Sequence, residues 1–299
     1  MVNTSEDRGK RNWGDSMRER ARIQFRGESK AFETAWNGTY EPKIEYGLVV
    51  LYKDEPSYER MRQLFDSFVL KYPVTWYEHT SVEYSKAELA SFELLRLHVI
   101  GQAGAGDNSF VQVYVAESVC AACGRVKRSQ VRNLVLNYAA REDDPEEIGY
   151  FQHDMCKTDA DEVVVSEGVK NVLATHGVPG IELRPIENSS TINPIGKSYF
   201  QLIAQLQIGP LVEPTHLEQR DYCTSCRQYR EVLYALPGSM ESEFYFRRDS
   251  YKGAWIMSTT NVFGRWPHYA SELIINQQCY HLLKRNNITG FWVQPVHLI

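Results

Sequence analysis

The sequence predicts an α+β protein: a small α/β segment followed by two similar β-rich modules that share one metal ion. Two Cys-x-x-Cys pairs lie 103 residues apart, similar stretches recur at a distance of 110 residues, and a strand followed by an amphipathic helix precedes both modules. Such recurrence at a fixed distance is typical of a duplicated structural unit. The expected parts are a polar tail over 1–35, the α/β segment over 36–85, and the modules over 86–190 and 191–299.

The segment before the modules has its own pattern. Residues 1–35 are rich in charged and polar side chains, so we expect a partly disordered tail. "YGLVVLY" (46–52) is typical of a buried strand. "SYERMRQLFDSFVLKY" (57–72) predicts a helix with one apolar face, formed by Met61, Leu64, Phe65 and Phe68.

The duplication is clearest in the second half of each module. "DEVVVSEGVKNVLATHGVPGIELRPI" (161–186) aligns without a gap with "SELIINQQCYHLLKRNNITGFWVQPV" (271–296). Upstream, "FELLRLHVIG" (92–101) is similar to "FQLIAQLQIG" (200–209), 108 residues later. These two segments and the Cys-x-x-Cys pairs recur in the same order. Their recurrence predicts that each module is β-rich, with one short helix near its end.

The helix and the strand after it follow one plan in both copies. Val169, Val172 and Leu173 form an apolar stripe at helical spacing, which predicts packing against a sheet. Gly180 and Gly290 suit the chain reversal that follows the helix. "IELRPI" and "FWVQPV" are then predicted strands that end at a proline, as at a sheet edge or a strand terminus.

The cysteine pairs predict a metal site. A Cys-x-x-Cys turn presents two thiolates to one ion, and a structural zinc usually takes four ligands in a tetrahedron. Each pair therefore supplies half of a site. If the two copies pack about a pseudo-two-fold axis, the four sulfurs converge on one structural Zn²⁺ per chain. The predicted ligands are Cys120, Cys123, Cys223 and Cys226.

The other cysteines leave alternatives open. A redox-active pair is the alternative to zinc, although neither pair lies in a thioredoxin-like βαβ context. His153 and Cys156 could form a further ligand pair, but we interpret Cys156 as a surface thiol. Cys279 aligns with Val169 on the helical stripe, so we expect a small core residue there.

The residues after each cysteine pair differ between the copies. Gly124 follows the first pair, as a knuckle turn often requires, whereas Arg227 follows the second. The second turn must therefore take another backbone geometry or tolerate strain. Basic residues near both pairs either offset the charge of the thiolates or are ordinary surface charges; these are Arg125, Lys127, Arg128, Arg227 and Arg230.

Composition narrows the function classes. The 299 residues are 43% hydrophobic, as in a folded globular protein, and the formal charge is −5. An acidic balance disfavours a general affinity for nucleic acid or for an anionic membrane. We find neither a leader peptide nor an apolar run of about 20 residues that could cross a bilayer. We therefore expect a cytoplasmic protein, in a compartment where cysteines bind metal instead of forming disulfides.

Catalytic signatures are lacking in the sequence. We find no His-Glu-x-x-His, Gly-x-Ser-x-Gly or phosphate-binding loop in a suitable context. Four cysteines around one zinc would leave no open coordination position for chemistry. We therefore predict no catalytic residues, no cofactor besides zinc and no enzymatic activity.

The chain resembles a known family in these motifs. Two distant Cys-x-x-Cys pairs, the first followed by Gly124, together with the pattern "VVSEGVKNVLATHGVPGIELRPI", are similar to the double-CXXCG-motif proteins of bacteria. The resemblance covers roughly residues 85–299, and Arg227 departs from the family motif. It implies zinc ligation by the four paired cysteines, and some members are classed as immunity proteins against the toxin of a sibling cell.

The favoured hypothesis is therefore a zinc-stabilised binding protein, most simply an immunity or defence-related factor that binds a partner protein such as a cognate toxin. The aromatic content, with 18 Tyr and 6 Trp, suits protein interfaces. The alternative is a zinc-ribbon nucleic-acid-binding or phage-related regulatory protein. Basic residues at the knuckles motivate this alternative: Arg125, Lys127, Arg128, Arg132, Arg227 and Arg230.

Overall fold

The computed structural model describes most of the chain. The described residues are 18–27, 30–40, 42–44, 48–72, 74–103, 113–136, 153–158, 160–188, 198–233, 243–265 and 268–299. They form two compact units, one up to Ser91 and one from Phe92 onward. Both units mix helix and sheet, and strands predominate.

The first unit is a three-stranded antiparallel sheet with two helices packed on one face. Its elements are β1 (Arg18–Gly27), α1 (Lys30–Asn37), β2 (Leu48–Tyr52), α2 (Pro56–Val69), β3 (Val74–Glu83) and α3 (Lys86–Ser91). The strand order is β2-β1-β3. Alternate residues of β1 share one buried cluster with Phe32 of α1 and Met61 of α2. The predicted apolar face of α2 is confirmed, since Leu64, Phe65 and Phe68 pack against this cluster.

The predicted polar tail over 1–35 is wrong for its second half. Residues 18–35 supply the central strand β1 and most of helix α1. The reason is a period-two alternation, because Ala21, Ile23 and Phe25 are buried within a run that is otherwise rich in charge. Residues 1–17 lie outside the described part of the chain.

The second unit consists mainly of strands. From Phe92 to residue 188 it contains β4 (Leu94–Val99), β5 (Gly101–Gln102), β6 (Tyr114–Val119), β7 (Val126–Gln130), β8 (Val135–Leu136), β9 (Met155–Lys157), β10 (Val163–Ser166), α4 (Glu167–Thr175), β11 (Ile181–Pro185) and β12 (Glu187–Asn188). From residue 198 onward it contains β13 (Tyr199–Ala204), β14 (Gln207–Ile208), β15 (Glu218–Cys223), β16 (Gln228–Leu233), β17 (Phe244–Phe246), β18 (Ile256–Arg265), β19 (His268–Asn276), α5 (Gln277–Arg285) and β20 (Phe291–Leu298).

Two larger sheets organise this unit. One has the order β11-β13-β10-β9-β5. The other has the order β15-β16-β18-β19-β4-β20-β17, with β14 paired to β18. Strands β6 and β7 form a separate antiparallel ribbon, and β8 pairs with β12.

The two larger sheets exchange a strand. Strand β4, from early in the unit, lies between β19 and β20 near its end. Strand β13 lies instead between β10 and β11 of the other sheet. Each sheet is therefore completed by a strand from the opposite half of the unit.

The registers of these exchanged strands correspond. Arg96 of β4 is aligned with Ile274 and Gln294. Gln201 of β13 is aligned with Val164 and Arg184. Val164 and Ile274 are 110 residues apart, as are Arg184 and Gln294, which is the distance of the sequence repeat.

These registers correct one part of the sequence alignment. The alignment set Phe92 against Phe200, whereas the pairing of the strands makes Leu95 the counterpart of Phe200. Chance identities at the strand ends favoured the wrong offset, and periodicity within one strand cannot detect an offset between two strands.

Helices α4 and α5 begin and end in the same way. The Ser166 side chain accepts a hydrogen bond from the amide of Val169 at the start of α4, and Asn276 accepts one from Cys279 at the start of α5. The predicted reversals are confirmed, with φ of +76° at Gly180 and +88° at Gly290.

The predicted proline termini hold for one strand only. Strand β11 ends at Pro185 and lies at a sheet edge. Strand β20 continues beyond Pro295 to Leu298 and lies between β4 and β17, so the prediction of an edge or terminus is wrong there. Because β17 pairs with β20 only from Val296 onward, Pro295 needs no ladder partner on that side.

Candidate metal centre

The four paired cysteines lie at the tips of two β-hairpins. Cys120 and Cys123 are in the turn that joins β6 to β7, which pair antiparallel. Cys223 ends β15, and Cys226 lies in the turn that leads to β16. A tight turn between paired strands aims both sulfurs of a pair in one direction, and the two tips meet.

The sulfur positions fit a tetrahedral metal. The Sγ atoms of Cys120 and Cys223 are 3.8 Å apart, and those of Cys123 and Cys226 are 3.7 Å apart. All four sulfurs lie within 4.8 Å of one another. A tetrahedral zinc with Zn–S bonds of about 2.3 Å requires sulfurs about 3.8 Å apart. The structure therefore brings the predicted ligands together in a cluster that can hold a metal ion.

Backbone amides support the thiolate form at the first cysteine of each pair. The amides of Cys123 and Ala122 donate to the Cys120 sulfur and lower the pKa of Cys120. The amide of Arg125 donates to Cys123 in the same turn. The backbone also closes the turn, because the amide of Cys120 donates to the carbonyl of Arg125 at 2.8 Å.

The second turn repeats this arrangement at equivalent positions. The amides of Cys226 and Ser225 donate to the Cys223 sulfur, and together with neighbouring thiols they lower the pKa of Cys223 to about 6. The amide of Gln228 donates to Cys226, as Arg125 does in the first turn. Two turns that point the same amides at equivalent sulfurs have the geometry of a metal-binding knuckle.

The sulfurs oppose one another's ionisation. Desolvation and the neighbouring cysteines raise the pKa of Cys226 to about 12, although the pKa of Cys223 is lowered. Thiolates this close repel one another and cannot all be charged in the absence of a cation. A divalent metal at the centre attracts all four thiolates and removes this conflict.

The residue after each pair adopts a left-handed backbone conformation. The φ angle is +73° at Gly124 and +54° at Arg227. The second turn therefore keeps the geometry of the first and tolerates the strain of a non-glycine residue, one of the two outcomes that the sequence left open.

The basic residues near the cluster have different surroundings. Arg125 links the two hairpins, because its Nη1 donates to Gln228 Oε1 at 3.1 Å and to the carbonyl oxygen of Tyr229 at 3.2 Å. Lys127 is 75% exposed and pairs with Glu117 at 2.6 Å. Arg125 is thus part of the hairpin contact, whereas Lys127 is a surface charge.

The remaining cysteines are buried in the protein core. Cys156 is fully buried and donates to the carbonyl of His153, so the interpretation as a surface thiol is wrong. It is held between strands, since it aligns with both Val164 and Gly101. Cys279 lies in the core as expected, and burial raises its pKa to about 12.

Some contributors to the site were not identified from the sequence. The amides of Ala122 and Ser225 and the contact between Arg125 and Gln228 belong to positions that match across the 103-residue distance of the cysteine pairs. Extending the alignment of the pairs by a few residues on either side would have pointed to them.

Comparison with family models and curated proteins assigns neither a family nor a function to this chain. Neither a protein-family model nor a curated protein matches the sequence. Among the described residues, no helix is both long and apolar enough to cross a membrane.

Proposed function

We propose that this chain is a non-enzymatic binding protein whose second unit is held together by one structural Zn²⁺. The four clustered sulfurs of Cys120, Cys123, Cys223 and Cys226 support this most directly. Four thiolates in a tetrahedron suit zinc and fill its coordination sphere, which leaves no position for a substrate or a reactive water. The metal's role is then to join two hairpins that are far apart in sequence.

A duplicated origin would explain why each hairpin supplies half of the site. The corresponding registers of β4 and β13, the similar caps of α4 and α5, and the equivalent turns at Gly124 and Arg227 support two related modules. In this proposal zinc lies near the pseudo-two-fold axis and closes a loop of about a hundred residues, where a cross-link has a large effect on the unfolded chain.

The proposed partner is a protein, in the sense of an immunity or defence-related factor that sequesters a toxin. Exposed apolar side chains surround the knuckles: Val115, Val119 and Val131 on or beside the first hairpin, and Tyr222 on the second. Exposed apolar and aromatic groups on a rigid support are typical of protein interfaces. The resemblance to the double-CXXCG-motif proteins supports the same role.

The knuckles offer less support for a nucleic-acid-binding zinc ribbon. Lys127 is paired with Glu117, Arg125 contacts the second hairpin, and Arg220 is paired with Glu218. Retention on heparin that decreases steeply with salt, and is lost when Arg227 and Arg230 are replaced by Gln, would support this alternative instead.

Native mass spectrometry of protein purified without added metal tests the metal proposal. We expect one zinc per chain, and we expect Cys223→Ser to lose it because three ligands remain. Cys279→Ser is the matched control, since it also replaces a buried thiol with a hydroxyl but lies outside the cluster. Intact thiols with no metal, or equal metal loss in both variants, would contradict the proposal.

Capture of a partner from the native host tests the binding role. We expect a stoichiometric protein complex that Val119→Glu weakens at least tenfold, about 1.4 kcal/mol. Leu70→Glu is the control, because Leu70 is even more exposed but belongs to the first unit. Recovery of chaperones alone, or equal capture by both variants, would count against a partner at the knuckles.

A further inference from the structure

The two hairpins that supply the cysteine cluster are attached to the second unit in different ways. Strand β16 of the second hairpin pairs with β18, so this hairpin is part of the larger sheet. Strands β6 and β7 of the first hairpin pair only with each other among the described strands. Within the described part of the chain, only the second half of the cluster is thus continuous with a large sheet.

The length of one connection explains this difference. Ser258 of β18 is aligned with Leu273 of β19, and the two strands continue beyond this point as a long hairpin that reaches β16. At the corresponding point of the other sheet, Lys157 of β9 is aligned with Val163 of β10, and residues 158–162 connect them. A connection this short is a hairpin loop and adds no strand beside β7.

Side chains hold the base of the first hairpin instead. The Tyr114 hydroxyl donates to Glu162 Oε1 at 2.6 Å, and the other oxygen of this carboxylate accepts from Thr158. The side-chain amides of Gln130 and Gln201 exchange two hydrogen bonds, of 2.7 Å and 3.0 Å. Tyr114 and Gln130 are aligned across the ribbon, so both anchors lie at the end remote from the cysteines.

The anchors lie where the hairpin joins the core. Gln201 is 4% exposed, and Val113, directly before Tyr114, is fully buried. Burial, together with the neighbouring Glu162 carboxylate, raises the pKa of Tyr114, so the hydroxyl stays protonated and donates. A hydrogen bond to a carboxylate is stronger than one between neutral groups, and partial burial strengthens it further. These bonds fix the direction in which the ribbon leaves the core.

Between its base and its tip the first hairpin has little support. Every residue of β6 from Val115 to Val119 is exposed. A two-stranded ribbon without a packed face is marginally stable by itself. At the tip, Arg125 bonds to Gln228 and to the carbonyl oxygen of Tyr229 on the second hairpin. The ribbon is therefore held at its two ends, by the anchors and by the cluster with Arg125.

We infer that the first hairpin is the hinged half of the metal site, and that Tyr114 and the Gln130–Gln201 pair position it. The second cysteine pair is presented by a sheet, whereas the first pair reaches the metal because the anchored base directs the ribbon toward it. Loss of zinc releases the tip of the first hairpin, and the second hairpin stays in its sheet. The hinge presupposes the proposed zinc site and adds which of its halves moves when the metal leaves.

The hinge also connects the metal to the proposed partner surface. Val115 and Val119 lie on the hinged half, and Tyr222 lies on the fixed half. Release of the tip would separate these side chains, so the metal would determine whether one continuous surface is presented.

Hydrogen exchange of the full-length, zinc-loaded protein, measured by mass spectrometry, tests which half moves. After a chelator removes the zinc, amides of β6 and β7 should exchange at least about tenfold faster, because they depend on an otherwise weakly supported ribbon. Amides of β15 and β16 should change by less than about threefold, since β16 remains paired with β18.

Tyr114→Phe tests the positioning role, because it removes only the hydroxyl that bonds to Glu162. The affinity for Zn²⁺, measured by competition with a chromophoric chelator, should fall about tenfold, or about 1.4 kcal/mol. A purely structural role would lower the stability of the unit and leave the zinc affinity of the folded protein unchanged. Gln130→Ala removes the other anchor and should lower the affinity in the same direction, so the test does not depend on one variant.

Tyr222→Phe is the matched control. It also removes a phenol hydroxyl, but from an exposed side chain beside Cys223 on the fixed half. Its zinc affinity should stay within about twofold of the original, as for other changes at exposed positions. Circular dichroism checks that each variant is folded.

The outcomes separate the hinge from the metal site itself. Equal acceleration of exchange in both hairpins, or acceleration in the second hairpin alone, would overturn the hinge. Unchanged zinc affinity in folded Tyr114→Phe and Gln130→Ala would overturn the positioning role. An unaltered protein that binds no zinc would refute the proposed metal site, and the hinge with it.

Discussion

Arg227 is a non-glycine residue in a backbone conformation that favours glycine. Its φ of +54° is in the left-handed region, where a non-glycine residue costs roughly 1–2 kcal/mol. Gly124 occupies the equivalent position of the other turn at φ +73°. We expect Arg227→Gly to stabilise the metal-bound protein by about 0.5–1 kcal/mol, because the relieved strain exceeds the added entropy of the unfolded chain. Chemical denaturation of the two proteins measures this difference.

Two variants serve as controls for this prediction. Arg230→Gly also removes an exposed arginine but lies within strand β16, so it should destabilise the protein. Gly124→Ala should cost about 1 kcal/mol through its φ angle alone, since no atom lies within 4 Å of the added Cβ. Equal effects of the two arginine substitutions would show that charge, and not backbone strain, determines stability at Arg227.

Arg96 forms a buried ion pair that joins the exchanged strand β4 to its neighbour β19. Its side chain is 1% exposed, and its Nε lies 3.3 Å from Glu272 Oε2, whose side chain is 8% exposed. The guanidinium also lies 4.4 Å from the centre of the Phe244 ring. We expect Arg96→Met to cost about 3–5 kcal/mol, because it removes one partner of the buried ion pair with Glu272.

A surface pair provides the control for Arg96. Arg248 bonds to Glu93 at 2.9 Å, but both side chains are about half exposed or more. Arg248→Met should therefore change the free energy of unfolding by less than about 1 kcal/mol. If burial of Glu272 is the cause, the double variant Arg96→Met with Glu272→Met should recover much of the lost stability, and urea denaturation would reveal a failure to recover.

At the level of elements, the loop between α5 and β20 packs closely against the backbone of residues 153–155. A Cβ on Gly290 would lie 2.2 Å from the Met155 carbonyl oxygen and 2.6 Å from His153 Cβ, and φ is +88°. The same loop bonds to its neighbours through Ile100, whose amide donates to the Gly290 carbonyl. We expect Gly290→Ala to destabilise the second unit by more than about 3 kcal/mol, since both backbone strain and a backbone clash oppose it.

Gly177→Ala separates the two contributions. Gly177 follows α4 with φ of +58°, but no atom lies within 4 Å of an added Cβ. The cost there should be only about 1 kcal/mol. Thermal unfolding of both variants measures the difference, and similar losses of stability would mean that the close approach at Gly290 relaxes easily.

The sequence predicted individual helices and strands better than it predicted which strands pair with each other. Helix α2, helix α4 and the strand at 48–52 were recognisable because periodicity and capping are local signals. The convergence of the two cysteine pairs also followed from simple counting of ligands. The pairing of β4 with β19 and β20 did not, because their residues are far apart in the chain and the sequence of one strand does not specify its neighbours. Strand β1 was missed because its arginines concealed the alternation of Ala21, Ile23 and Phe25.

For the whole molecule, two units imply two unfolding transitions. The cysteine cluster belongs to the second unit, so if it holds the proposed zinc, a chelator should lower only the transition of that unit, by several degrees or more. Leu51→Ala identifies the other transition, because Leu51 is buried in the first unit and its truncation typically costs about 2–5 kcal/mol. Differential scanning calorimetry tests this, and one transition that shifts under both changes would contradict it.

The exchange of β4 and β13 also sets an order of events during synthesis on the ribosome. Strand β4 emerges early, but its partners β19 and β20 are made about 170 and about 200 residues later. The first unit, in contrast, contains all three strands of its own sheet and can fold while translation continues. We therefore expect a nascent chain that carries a folded first unit and an unpaired strand β4 for most of its elongation. A chain whose synthesis stops before β19 would leave β4 without either neighbouring strand and exposed to chaperones and proteases.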